Sequence, residues 1–172
     1  PVTTKKGRAI IPERLKDFDA KEYFAVLATD DGGMPYTSLV SYALTPDLKT
    51  LLFATPKGTR KYANILHSGK VTLLIDNRSK RKDRLLKTEA ITIIGTARPV
   101  RKGKAWDRLT ELFLGKHPEL EKFLYAPTTA LIAVEIVRCV HVGHFQALSV
   151  WDPEARLKNK PTCRKASKIT YD

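Results

Sequence analysis

The residues Thr59, Arg60 and Lys61 place a hydroxyl group and two cations side by side where a helix is predicted to begin. Residues 51–55 predict a strand, and the Pro-Lys-Gly sequence at 56–58 predicts the turn that joins it to the helix. With Thr59 as the N-cap, free backbone N–H groups and the positive helix end face the same place as the cations. This combination suits a phosphate dianion and predicts a phosphorylated cofactor. The alternative is a capped surface helix with two solvated cations.

The composition of the chain limits the classes of protein to which it can belong. The chain has 172 residues, of which 42% are hydrophobic and 28% charged, which predicts a single globular domain over residues 1–172. No apolar run approaches the roughly 20 residues of a membrane span. Because no signal-peptide core follows the first residues, we expect a cytoplasmic protein without a membrane partner. Cys139 and Cys163 occur without a CxxC motif or a Cys/His cluster, so we expect two unrelated thiols and no metal site.

The net charge of +13 indicates attraction to anions. Basic residues concentrate in three blocks, at 78–87, 98–104 and 156–168, and the region 152–172 reads as a loosely packed basic tail. Such blocks are typical of solvated loops. A nucleic-acid partner is not expected, because the basic residues lack interleaved aromatic residues and no recognition motif is present.

The hydrophobic pattern predicts a small antiparallel barrel with flanking helices. Helices are predicted at 12–20, with Leu15 and Phe18 facing inward, at 59–67, at about 106–115 and briefly after Pro118. Asp30-Asp31-Gly32-Gly33 is a strong hairpin signal. The six predicted strands are 23–29, 36–44, 50–55, 71–76, 88–98 and 129–142. Short turns between successive strands favour a mainly β fold that closes or partly closes.

Several segments between residues 20 and 150 also occur, in the same order, in one known family. They are 24–29, 33–35, 38–42, 53–55, 59–65 (Thr-Arg-Lys-Tyr-Ala-Asn-Ile), 70–75, the strand ending at Gly95, and 142–145. This ordered set resembles the pyridoxamine 5′-phosphate oxidase-related, FMN-binding split-barrel family. The resemblance implies a six-stranded antiparallel split barrel and a homodimer. It also implies one FMN per subunit at the dimer interface.

The resemblance implies roles for individual residues. Arg60 and Lys61 would hold the FMN phosphate, with Thr59 beside them and Lys57 as a third cation. The strand that ends at Thr55 would lie along the flavin. Backbone groups of residues 38–41 would bond the polar edge of its ring. His144 stands at a strand end, either against the flavin or substrate or in a structural role. The implied cofactor-binding residues are Ser38, Leu39, Val40, Ser41, Phe53, Ala54, Thr55, Lys57, Thr59, Arg60, Lys61 and His144.

The chain departs from the family's vitamin B6 oxidases at the positions that contact their substrate. Ser38 stands where those enzymes have arginine, Ala90 stands at about the position of a glutamine, and no Arg-x-His signature occurs in the tail. Oxidation of vitamin B6 is therefore not expected. The stretch 142–146 is similar to the Gly-Gly-Phe-Gly turn of haem-utilisation relatives, with His144 and Gln146 replacing two glycines.

The expected function is that of an FMN-dependent oxidoreductase acting on a small, anionic molecule. No catalytic residues are assigned, because the cofactor carries the redox chemistry. Two alternatives stay open: a flavin-binding electron carrier without turnover, and a split barrel that binds F420, haem or nucleic acid. Trp106, Phe113 and the last strand are expected to supply apolar surface for the dimer. His141 and Cys139 are expected on one strand face, in the core or an interface.

Overall fold

The computed structural model describes residues 10–78, 88–143 and 147–153. Within these ranges the chain forms seven strands and four helices, with one 3₁₀ turn at Pro118–Leu120. The helices are α1 (Ile10–Lys21), α2 (Arg60–His67), α3 (Lys104–Lys116) and α4 (Glu121–Tyr125). The strands are β1 (Phe24–Asp31), β2 (Met34–Leu44), β3 (Thr50–Pro56), β4 (Lys70–Asp76), β5 (Ala90–Pro99), β6 (Thr129–Gly143) and β7 (Ala147–Trp151).

Six of the strands close into an antiparallel barrel, as the sequence predicted. Their order is β3-β2-β1-β4-β5-β6, and pairing of β3 with β6 from Thr50↔Glu135 to Pro56↔Thr129 closes the ring. A seventh strand, β7, was not predicted; it pairs with the end of β6, from Cys139↔Trp151 to Gly143↔Ala147. Its five residues are too short a run to distinguish from the loop sequence around them.

The barrel interior is filled by the inward residues of each strand, and α1 covers it. Ile11, Leu15 and Phe18 of α1 are buried in this core, which confirms the predicted inward side of that helix. A second apolar cluster lies between α3, α4 and the outer side of β3 and β6, and it includes Trp106 and Phe113. The expectation that these two residues supply dimer surface was wrong, because both are buried within their own chain. None of the described helices is long and apolar enough to cross a membrane.

Gly95 stands where the ladder between β5 and β6 changes register. Ile94 pairs with Arg138 but Gly95 pairs with Ile136, so Val137 is the extra residue and its side chain is 55% exposed. A Cβ atom on Gly95 would collide with the Glu135 carbonyl oxygen and lie 2.7 Å from Val134 Cγ1. Only glycine allows the two strands to approach this closely.

The barrel is split between β2 and β3. β2 pairs with β1 along Met34–Ser41, whereas it pairs with β3 only at Tyr42, Ala43 and Leu44. Tyr42, where the pairing with β3 begins, is held at three atoms. Its N–H donates to the Tyr23 carbonyl (3.2 Å), its hydroxyl to the Phe18 carbonyl (3.2 Å), and its carbonyl lies 2.8 Å from His117 Nε2. From Tyr42 toward Met34 this edge of β2 has no strand partner among the described residues, and neither has the facing edge of β3 past Phe53; the opening between these two edges is called the cleft below.

Candidate functional site

After β3 the chain turns at residues 57–58 into α2, whose N-cap residue is Thr59. Its backbone is extended (φ −92°, ψ 152°), which confirms the predicted helix start. The Thr59 hydroxyl makes no capping bond; instead it donates to the Pro56 carbonyl (2.8 Å) and lies 3.1 Å from Thr55 Oγ1. The Tyr62 N–H is bonded to the Thr59 carbonyl (3.1 Å). The N–H groups of Arg60 and Lys61, which lack intrahelical acceptors, therefore face outward from the helix end.

The two cations of α2 differ in their surroundings. Arg60 Nη1 lies 3.1 Å from Asp31 Oδ2, and its guanidinium carbon lies 5.8 Å from the centre of the Tyr36 ring. Both contacts reach the hairpin between β1 and β2. Lys61 is partly buried, and no carboxylate in the described part of the chain lies within ion-pair distance of it. One cation is therefore paired with an internal carboxylate and the other is available.

Lys57 is directed to the loop before β6. Its Nζ donates to the Pro127 carbonyl (2.7 Å), and its backbone N–H donates to the Thr128 carbonyl (2.7 Å). These two bonds fix the turn between β3 and α2 against the start of β6. Lys57, the predicted third cation, thus lies beside this turn, and its hydrogen bond to Pro127 stabilises the turn.

The free part of β2 presents backbone groups to the cleft. In an antiparallel pair, alternate residues direct their N–H and C=O groups to the partner strand. Because the Tyr42 N–H is bonded on the β1 side, alternation turns the backbone groups of Leu39 and Ser41 toward the open edge. The side chains of Ser38 and Val40 face inward, whereas Leu39 is 63% exposed on the outer face. The Ser38 hydroxyl is shielded from solvent and has no hydrogen-bond partner among the described residues.

The end of β3 forms the other side of the cleft. Phe53 and Thr55 are buried in the barrel, and Ala54 packs on the second apolar cluster. Past Phe53 the strand pairs only with β6 among the described strands, so its other edge faces the free part of β2. The predicted cofactor-binding residues that the structure describes lie on the free part of β2, at the end of β3, in the turn that follows it and at the start of α2. His144 lies outside the described residues, as do residues 79–87 and 154–172.

Asn64 is a site residue that the sequence analysis missed. It is buried one turn after Arg60, and its Nδ2 donates to Thr29 Oγ1 (3.0 Å). The Thr29 hydroxyl in turn donates to the Tyr36 carbonyl (3.3 Å). Asn64 and Arg60 therefore fasten the same side of α2 to the β1–β2 hairpin. The four-residue spacing of two polar residues was the signal that could have identified this contact.

A second polar cluster, also missed, connects α1, the residue that precedes β5, and β6. His141 and Cys139 are buried, as expected for one strand face. His141 Nε2 lies 2.8 Å from Glu89 Oε2, and Arg14 Nε donates to the same oxygen (2.9 Å). Burial favours a higher pKa for Glu89, but the hydrogen bonds from Arg14 and His141 outweigh it and hold the pKa below its ordinary value. Burial raises the pKa of the Cys139 thiol to about 12.

The outer face of the sheet carries a row of mostly apolar side chains that are exposed at its ends and half-buried between them. Register pairs connect one outward residue from each of six strands into a continuous row, consisting of Leu39, Val26, Leu74, Thr92, Val140 and Val150. Beside this row lies a groove of about 610 Å³, whose lining includes Ala28, Thr72, Ile94 and Val137. Partly exposed apolar side chains that form a continuous row are a candidate surface for contact with another protein.

The described architecture is that of a split β-barrel with flanking helices. The family model for pyridoxamine 5′-phosphate oxidase matches residues 11–143. The chain belongs to this family. No curated protein matches the sequence.

Several solved structures share the fold at low sequence identity. A haem-binding protein from Mycobacterium smegmatis is 18% identical with a TM-score of 0.74; the match covers 89% of this chain and 61% of that one. A haem storage protein from Vibrio cholerae is 16% identical with a TM-score of 0.63, over 72% of this chain and 88% of that one. A FAD-binding protein from Mesorhizobium loti is 14% identical with a TM-score of 0.63, over 76% and 90%. These similarities show the fold alone.

Proposed function

We propose that this protein binds FMN, with the phosphate at the start of α2 and the ring in the cleft between β2 and β3. The observation that carries the proposal is that Arg60 and Lys61 begin the helix that follows β3, and that the facing edges of β2 and β3 have no strand partner among the described residues. The family relationship supports it, and so does the FAD-binding protein among the structural neighbours.

The phosphate end of the site combines three sources of positive potential. Arg60 and Lys61 supply two charges, and the first N–H groups of α2 add the helix-end potential. Lys61 has no internal carboxylate to neutralise it within the described chain. Hydrogen bonds between cations and phosphate oxygens are stronger than neutral ones, so a phosphate dianion is the ligand group that this end suits best.

The ring end of the site offers a slot with fixed hydrogen-bonding groups. An isoalloxazine ring requires a flat space and several donors and acceptors along its polar edge. The backbone groups of Leu39 and Ser41 face such a space on one side, and the edge of β3 beyond Phe53 faces it on the other. A bound ring would satisfy strand-edge groups that none of the seven described strands satisfies.

Homodimerisation belongs to the same proposal. The apolar row across the outer face and the adjoining groove form a surface that a second copy of the chain would cover. Leu39, on the strand that lines the cleft, is also a member of the row. Flavin binding and dimer formation are therefore expected to involve adjacent parts of β2.

FMN, when bound, would supply the redox chemistry, and this chain would bind and orient it. The proposed activity is oxidoreduction of a small, anionic molecule, in keeping with the net charge of +13. A flavin-binding electron carrier without turnover is the alternative within the flavoprotein class. Reduction of the bound flavin by nicotinamides, measured by loss of absorbance, distinguishes the two: rapid reduction followed by transfer to an acceptor supports the enzyme. A cytoplasmic location stays a prediction.

Haem is the second candidate ligand, because two structural neighbours are haem proteins. Haem iron needs an axial ligand such as histidine. Among the described histidines, His117 lies against the Tyr42 carbonyl and His141 against Glu89, so both rings are already engaged. The remaining described histidine, His67, is exposed at the end of α2. These contacts favour flavin over haem.

The test is a comparison of FMN and riboflavin binding by fluorescence quenching in the intact chain and in Arg60→Ala/Lys61→Ala. We expect the variant to lose about 100-fold or more in FMN affinity, because two charge-assisted contacts of about 1.5–3 kcal/mol each are removed. Riboflavin, which lacks the phosphate, should bind both proteins alike. The matched control is Arg101→Ala/Lys104→Ala at the start of α3. Equal FMN binding by the variant would overturn the phosphate assignment. Binding of F420, haem and an oligonucleotide to the intact chain is measured alongside that of FMN and riboflavin.

A further inference from the structure

Arg60 is already paired with an anion inside its own chain. Its Nη1 lies 3.1 Å from Asp31 Oδ2, and its guanidinium carbon lies 5.8 Å from the centre of the Tyr36 ring. Asp31 is the last residue of β1 and pairs with Met34 across the hairpin turn. The carboxylate therefore stands at the tip of the hairpin, directly opposite the start of α2.

This ion pair is of a kind that another anion readily replaces. It is a single contact between side chains that are 64% exposed for Arg60 and 38% exposed for Asp31. Exposed pairs of this type contribute little to stability. The contact between Asn64 and Thr29, one turn further along α2, is buried and independent of it. The helix thus stays fastened to the hairpin when Arg60 changes its partner.

We propose that Asp31 is the resident counter-ion of the phosphate site and that it sets how loosely FMN is held. The proposal rests on the FMN site proposed above. While no phosphate is bound, Asp31 occupies Arg60 and leaves Lys61 alone to attract the ligand. When the phosphate arrives it must share or take over the guanidinium group, and its charge is repelled by the carboxylate. FMN is consequently held less tightly, and dissociates faster, than it would without this carboxylate.

The effect of Asp31 must depend on the charge of the ligand. Repulsion by a carboxylate grows with the number of negative charges that approach it. FMN carries close to two charges on its phosphate at neutral pH. Riboflavin 5′-sulfate carries one charge at the same position, and riboflavin carries none. Replacement of Asp31 by asparagine should therefore raise the affinity for FMN most, the affinity for riboflavin 5′-sulfate less, and the affinity for riboflavin not at all.

The experiment measures the Kd of all three ligands, and the FMN dissociation rate, for the intact chain and for Asp31→Asn. From the usual strength of exposed ion pairs, we expect Asp31→Asn to bind FMN about two- to fivefold more tightly, chiefly through slower dissociation. The gain should be smaller for riboflavin 5′-sulfate and absent for riboflavin. Asp31→Ala should show the same order, which excludes new bonds from the introduced amide. Asp107→Asn on α3 is the matched control and should change none of the three affinities.

Each other outcome is informative. Weaker FMN binding by Asp31→Asn would show that the carboxylate orients Arg60 for the phosphate, and unchanged binding would show that it has no influence; both overturn the proposal. An equal gain for all three ligands would indicate a change of cleft shape and would also overturn it. If the intact chain bound neither FMN nor riboflavin, the proposed function itself would fail, and this inference with it.

Discussion

Thr55 and Thr59 share a hydrogen bond across the turn that joins β3 to α2, with 3.1 Å between their Oγ1 atoms. Thr55 is buried in the barrel, and Thr59 is the N-cap residue of the helix. This contact ties the helix start to the strand end and uses the hydroxyl that would otherwise cap the helix. The position of Arg60 and Lys61 relative to the cleft depends on it.

The coupling between these two threonines is measurable. We expect Thr55→Val to lower the free energy of unfolding by about 1 kcal/mol, the usual net contribution of one hydrogen bond, and Thr59→Val to lower it by about 2 kcal/mol, because it also removes the bond to the Pro56 carbonyl. In the double variant the loss should be smaller than the sum of the two, because the shared bond is removed by either substitution. Urea unfolding of the four proteins gives the coupling energy. Fully additive losses would contradict a shared bond.

Asn64 should be more costly to replace than its exposed neighbours. Asn64→Ala removes a buried donor and leaves the Thr29 hydroxyl without it, so we expect a loss of about 1–3 kcal/mol in the free energy of unfolding. FMN affinity should fall as well, because the helix loses its inner contact with the hairpin. The matched control is Leu66→Ala, an exposed residue of the same helix. Calorimetry and FMN titration check both effects, and equal stability of the two variants would argue against the buried bond.

The cluster of Arg14, Glu89 and His141 predicts a specific pH dependence of stability. The pKa of Glu89 is lower in the folded chain than its ordinary value, so its contribution is fully present above the ordinary carboxyl pKa of about 4.3 and is lost as pH falls through the lower folded pKa. Glu89→Gln should therefore be less stable at pH 7, by about 2 kcal/mol, and should lose less stability on acidification. Urea unfolding from pH 7 to pH 3 measures the slope. A variant with an unchanged slope would show that Glu89 does not titrate in this range.

Replacement by alanine should change the free energy of unfolding in opposite directions at two glycines. Gly95→Ala forces a Cβ atom against the Glu135 carbonyl and the Val134 side chain, so we expect a loss of more than about 3 kcal/mol or failure to fold. Gly115→Ala meets no neighbouring atom within 4 Å and lies within α3, so we expect a gain of up to about 1 kcal/mol. Thermal unfolding of the two variants, made in parallel, checks the pair. Tolerance at Gly95 would contradict the close approach of β5 and β6.

The outer face of the sheet predicts the oligomeric state. Val137→Asp places a charge beside the groove, so we expect a dimer to dissociate while each subunit stays folded. Light scattering together with circular dichroism separates dissociation from unfolding. Ala105→Asp, an exposed change near the start of α3, is the control and should leave the dimer intact. An intact chain that is a monomer at micromolar concentration would contradict the dimer.

The sequence was sufficient for most elements of the fold, because their signals are local. Alternation predicted the six barrel strands to within a few residues, and the glycines at 32 and 33 identified the first hairpin, where both adopt positive φ (64° and 93°). The spacing of Leu15 and Phe18 also predicted which side of α1 is buried. In contrast, Trp106 and Phe113 showed helical spacing without indicating whether their partner was the same chain or another.

The cleft between β2 and β3 could not be predicted from the hydrophobic pattern, because it is a place where two neighbouring strands do not pair. Nothing in the composition of 34–44 distinguishes the part of β2 that pairs with β3 from the part that does not. The polar contacts were missed for a different reason. Asn64 and Thr29 are 35 positions apart, and Glu89 and His141 are 52 apart, so only the closed barrel brings them together.

The three-atom anchoring of Tyr42 implies a gradient of stiffness along β2. At Tyr42 the strand is fixed by contacts with Phe18, Tyr23 and His117, whereas toward Met34 its one strand partner among the described residues is β1, and α2 contacts that end through Arg60. Deflection of the hairpin end would thus turn about a fixed point and leave the ladder between β3 and β6 undisturbed. Ligands of different thickness can then enter the cleft at a cost that falls with distance from Tyr42, while closure of the barrel is unaffected.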